Sequence, residues 1–111
     1  MRTFETGATR DAADHKLHYH GYIGWKALRR FGEYMKAHET QADGQRREPG
    51  NWKKGIPLKA YRDSLDRHVV DWNVAIEQED WAVADELACA IWFNIQGWLE
   101  ERMNPPVDIG L

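Results

Sequence analysis

The sequence predicts an all-α domain of three main helices, with an irregular N-terminal arm and one long loop. Three observations carry this. Apolar residues recur at steps of three and four over much of positions 25–103, no stretch alternates as a strand would, and Gly- and Pro-rich segments punctuate the periodic ones. At 111 residues there is room for one core, so residues 1–111 are read as a single domain: arm 1–24, helical core 25–103 and tail 104–111.

From Met1 to about Gly24 the chain is rich in Gly, Thr, Asp and His and has no sustained periodicity, which predicts an arm with a few turns. Trp25, Leu28, Phe31 and Met35 then mark one face of a first helix ending near His38, with Lys26, Arg29, Arg30 and Lys36 between them. The stretch ETQADGQRREPGNWKKGIP is dense in Gly, Pro and charge and reads as a long loop without regular structure; loops of that length are commonly functional or disordered.

Pro57 stands where a first helical residue is tolerated, and Leu58, Tyr61, Leu65, Val69, Trp72 and Ile76 follow at helical steps. Asp80 is placed to cap a third helix running to about Met103, where Asn104, Pro105 and Pro106 stop it. Its middle, LACAIWFNIQGWL, is apolar nearly all round. A helix so apolar needs burial on more than one side, and in a chain this short that predicts packing against a second subunit, a homo-oligomer.

Composition narrows the function. A net charge of −3 supplies no positive field for nucleic acid, so nucleic acid is not expected as the main partner. The longest uncharged stretch is too short to span a bilayer and the N-terminus has no signal-peptide core, so no membrane partner and a cytoplasmic location are expected. The single cysteine, Cys89, sits in an apolar run and reads as a small core residue. Six tryptophans in a chain this short leave rings available for work beyond packing.

Several groups have the chemistry of a phosphate-bearing ligand. GNWKKGIP places Asn51, Trp52 and Lys54 among glycines, a combination suited to stacking a base and neutralising phosphate; the plain alternative is a loop whose Trp52 plugs the core. FETGATRD offers Thr6 and Arg10 around a glycine in the same style. His68 lies at the edge of the second helix's apolar stripe, able to act as a general acid or base or as a core-edge histidine, while Arg67 points nearly opposite. Glu86, Ala90, Asn94 and Gly97 form a strip on the third helix whose small residues leave room for a ligand or a close helix crossing. A carboxylate and an amide there are costly to bury unless they are bound to something. Asp63 with Asp66, and Glu77 with Asp80, have a spacing able to ligate Mg²⁺, and also one that charged helix surfaces produce by chance.

FETGATRD, KLHYHGYI, EYMKAH, QADGQ, NWKKGIP, Arg67-His68 and ELACAIWFN together resemble the phage-associated family labelled dATP/dGTP diphosphohydrolase, N-terminal domain, over roughly residues 3 to 101. The resemblance implies an all-α relative of MazG-like nucleotide pyrophosphohydrolases that acts on purine deoxynucleoside triphosphates with Mg²⁺, in the host cytoplasm if the chain is phage-encoded. The family-typical positions here are Thr6, Gly7, Arg10, Asp11, Lys16, Tyr19, Asn51, Trp52, Lys54, Gly55, Arg67, His68, Glu86 and Asn94. The chain departs from MazG-like enzymes in having no clean ExxE pair before its ExxD, Glu77 to Asp80.

Two functions are thus expected side by side. In the hydrolase, Lys16, Lys54 and Arg67 lie near the phosphates, Glu86 holds Mg²⁺ and acts catalytically, and His68 is a base or leaving-group contact. In the alternative the same cleft encloses a nucleotide without cutting it, as a sponge for a nucleotide immune signal would; in either function Thr6, Arg10, Tyr19, Asn51, Trp52 and Asn94 are expected among the nucleotide-binding residues.

Overall fold

The computed structural model describes residues 1–12 and 15–104, and the chain is mostly helical. The elements in order are β1 (Arg2–Thr3), β2 (Thr9–Arg10), α1 (Tyr19–Tyr22), α2 (Trp25–Ala37), a 3₁₀ helix (Asn51–Lys54), α3 (Leu58–Glu77) and α4 (Trp81–Met103). The all-α class and the three main helices match the periodicity. Pro105 and Pro106, expected to stop the last helix, lie outside the described residues.

The arm has more structure than its composition predicts. Gly7, at φ +90°, turns the chain so that Gly7 N–H donates to the Phe4 carbonyl, and Arg2 pairs with Arg10 and Thr3 with Thr9 in a two-stranded antiparallel hairpin. The long loop is also ordered. Thr40 bridges to Arg46, Gly44 takes φ +84°, and Arg47 N–H reaches back to the Glu39 carbonyl at 2.7 Å, before the 3₁₀ turn starts at Asn51. Glycines and local backbone bonds, rather than apolar periodicity, make these two segments regular, and for that reason a search for periodicity passes over them.

The link from α3 to α4 is a tight helical hairpin. Asp80 N–H donates to the Ala75 carbonyl and Glu79 N–H to that of Ile76, a Schellman closure in which Glu79 takes the left-handed position at φ 55°. The side chain of Asp80 then accepts from Val83 N–H at 3.4 Å and caps α4, as its position in the sequence predicts.

α4 is the element the others share. α3 lies along it, α2 and the 3₁₀ helix pack on another of its sides, and among the described residues the N-terminal hairpin packs on no helix. Among the described residues every strongly buried side chain belongs to α2, α3 or α4: Phe31, Tyr61, Ala75, Ala84, Cys89, Ala90 and Asn94. The molecule is flat, 57 × 50 × 26 Å, and its radius of gyration of 19.4 Å exceeds the ~13 Å of a compact chain of this length.

Candidate functional site

A concavity of about 410 Å³ opens where the end of α2, the ordered loop and the 3₁₀ helix meet the side of α4. Its aromatic walls are Tyr34, Trp52 and Phe93, and its polar groups include His38, Arg47 and Asn51. Each ring is held from behind. Trp52 meets Phe93 edge to face at 6.1 Å, Tyr61 meets the same Phe93 at 6.0 Å, and Tyr34 lies 4.2 Å from the His38 ring. Burial raises the pKa of Tyr34 above the usual phenol range, so it presents a neutral hydroxyl.

An ionic cluster anchors one side. Arg30 of α2 donates to the Glu86 carboxylate at 2.7 Å, and His38 Nε2 lies 3.4 Å from the other oxygen of the same carboxylate. Glu86 is held below the usual carboxylate range, first by the Arg30 hydrogen bond and also by that of His38. Beneath it Phe31 stacks on Trp92 at 4.7 Å, so a polar clasp and an apolar one join the same two helices. On the loop, Glu39 accepts from Lys36 at 3.2 Å and from Arg46 at 3.1 Å, and this pairing, led by Lys36, lowers its pKa. Arg47 makes no ion pair among the described residues and faces the cleft.

The expected site residues are dispersed. Asn51 and Trp52 line the cleft, and Glu86 stands beside it through His38. Lys54, on the same 3₁₀ turn, is exposed and outside the lining. Asn94 is buried and donates its amide to the Ala90 carbonyl at 2.8 Å, so it is satisfied within its own helix. The Ala90–Gly97 strip is a helix crossing: a methyl group on Gly97 would overlap the ring of Tyr61. His68 is half-buried on the α3 face that carries Tyr61 and Trp72, and Arg67 is exposed. Thr6 and Arg10 lie on the N-terminal hairpin, and Lys16 and Tyr19 follow it, all four exposed and none in the cleft.

One member of each carboxylate pair weighed for Mg²⁺ has structural work. Asp63 accepts from Lys59 at 2.6 Å, and Asp80 caps α4. Sequence reasoning missed Tyr34, His38, Arg47 and Phe93. Tyr34 and His38 are one turn apart at the end of α2, a spacing that signals a shared surface, but nothing local tells that the loop folds back over it.

No protein-family model, curated protein or solved structure matches this chain.

Proposed function

We propose that the protein binds a nucleotide in the cleft between α2, the loop and α4, with the base against Trp52 and Tyr34 and the phosphates toward Arg47. One observation carries the reading: three aromatic rings and a guanidinium that makes no ion pair among the described residues converge on a single concavity of about 410 Å³, within the range of small-molecule sites. Planar rings stack on a base whatever its identity, and a guanidinium matches phosphate oxygens in pairs. The resemblance to the dATP/dGTP diphosphohydrolase N-terminal family supports the same ligand class, purine deoxynucleoside triphosphates.

Hydrolysis is the second reading, and the resemblance alone favours it. The donor set fits Mg²⁺ poorly: the Glu86 oxygens are engaged by Arg30 and His38, and among the described residues no three His, Cys, Asp or Glu gather as a metal site. Sequestration without turnover therefore stands first, and it suits the ligand range of a phage protein that captures nucleotide signals.

Incubation of the purified protein with a panel of deoxynucleoside triphosphates and cyclic nucleotides, with Mg²⁺ and with chelator, separates the readings. Retention of intact nucleotide in chelator, weakened in Trp52→Ala, is the expected result. Pyrophosphate release that needs Mg²⁺ and is lost in a folded Glu86→Ala variant establishes the hydrolase instead. Neither retention nor turnover for any member of the panel removes the nucleotide reading.

A further inference from the structure

The cleft carries little positive charge for a polyphosphate. Besides His38, its charged lining residues are Glu39, Arg47 and Glu48. The cations next in the chain to lining residues are engaged: Lys36 and Arg46 pair with Glu39 at 3.2 and 3.1 Å, and Lys53 lies over the Trp52 ring at 5.6 Å. His38 faces the Glu86 carboxylate, which Arg30 also holds. Arg47 is thus the one guanidinium or ammonium of the lining, and beside it stands a carboxylate, Glu48, that makes no ion pair among the described residues. The Glu48 carbonyl accepts from Asn51 N–H at 2.9 Å, which ties this residue to the start of the 3₁₀ turn that carries Trp52.

Charge then discriminates among nucleotides that share a base. One phosphate group carries about −1.5 to −2 charges at pH 7, and a guanidinium meets two of its oxygens at once. Each further phosphate adds negative charge without a second lining guanidinium or ammonium to receive it, and brings that charge toward Glu48 between aromatic walls, where screening is weaker than in bulk water. Like charges set against each other in a binding site disfavour the ligand that brings them there. Glu39 is balanced by its two partners, so Glu48 decides the outcome. Resting on the nucleotide reading of this cleft, we propose that it selects nucleotides with a single phosphate group, and that Glu48 is the specificity-determining residue that disfavours di- and triphosphates. The ligand then differs from the triphosphates that the family resemblance implies.

Calorimetric titration of the full chain with deoxyguanosine and deoxyadenosine mono-, di- and triphosphates and with the cyclic monophosphates of both bases tests this, in chelator and in Mg²⁺. In chelator, wild type is expected to bind the monophosphate about tenfold more tightly than the triphosphate of the same base, a ratio within reach of like charges a few ångströms apart near a protein surface. A monoester or a cyclic diester as the tightest member meets the expectation equally. Mg²⁺, which neutralises part of the triphosphate, should narrow the gap. Glu48 is exposed, so Glu48→Gln is expected to fold as wild type does and to shrink the ratio severalfold. Glu77→Gln removes the same charge outside the cleft and should keep the wild-type ratio. A triphosphate bound as tightly as the monophosphate in chelator, a ratio unchanged in Glu48→Gln, or one that Glu77→Gln shrinks as much, overturns the proposal and leaves the nucleotide site standing. No binding of any member removes the nucleotide reading, and this proposal with it.

Discussion

The ring of Tyr61 on α3 lies directly over the bare backbone of Gly97 on α4, and this contact sets how closely the two longest helices approach. Tyr61 is 3% exposed and its ring also touches Phe93, a wall of the cleft, so the crossing and the candidate site share a side chain. Gly97→Ala is expected to cost about 1–3 kcal/mol, the usual range for overpacking a filled interface. Urea unfolding at fixed protein concentration measures it. Tyr61→Leu, added to Gly97→Ala, should recover part of that loss, because the two changes act on one contact. A Gly97→Ala protein as stable as wild type would show that the helices can part without penalty.

The hairpin turn carries two opposing local effects. Glu79 holds a left-handed backbone that glycine adopts freely, so Glu79→Gly is expected to stabilise the fold by roughly 1 kcal/mol. Asp80→Ala removes the cap of α4 and should cost ~1 kcal/mol. Thermal or urea midpoints that move the same way in both variants would contradict the assignment of these two roles.

The Glu86 clasp predicts an acid-side loss of stability. Its folded pKa is depressed by Arg30 and then His38, so its contribution is complete above the unfolded carboxylate value of about 4.3 and disappears as pH falls through the lower folded value. Half of the side chain meets solvent, so the effect is modest and salt-sensitive. Unfolding midpoints from pH 7 to pH 3 should fall less steeply in Glu86→Gln than in wild type, and the gap should narrow in high salt.

Binding measurements divide the aromatic wall from residues that lie elsewhere. Trp52→Ala should weaken nucleotide affinity by about 1–3 kcal/mol, the range for loss of one base–aromatic stack. Arg47→Ala should weaken it too and flatten its dependence on salt, as expected for a phosphate contact. Lys54→Ala and Arg67→Ala, whose side chains lie outside the cleft, should leave affinity unchanged in calorimetric titrations. A large loss in those two variants with none in Trp52→Ala would place the ligand elsewhere.

Cys89 is expected to be inert in the native protein. Burial pushes its thiol pKa up against the opposing pull of Arg30, so the reactive thiolate is scarce and shielded. Reaction with a disulfide reagent should be slow in buffer and complete in denaturant. A rapid native reaction would show that α2 opens away from α4.

The sequence by itself determined the class and the main helices. Apolar spacing located α2, α3 and α4, and Asp80 announced the cap it makes. These are properties of local period and hydrogen bonding, which a chain carries wherever it folds. Only the tertiary structure decided which polar residues share a site. Asn51 and Trp52 come to Tyr34, His38 and Arg47 because Gly44 and the Thr40–Arg46 bridge turn the loop back, while Asn94 is absorbed by its own helix and Thr6 and Arg10 are carried off on a separate hairpin. Contacts between residues far apart in sequence depend on how the helices cross and where the loop closes, and no periodicity records either one.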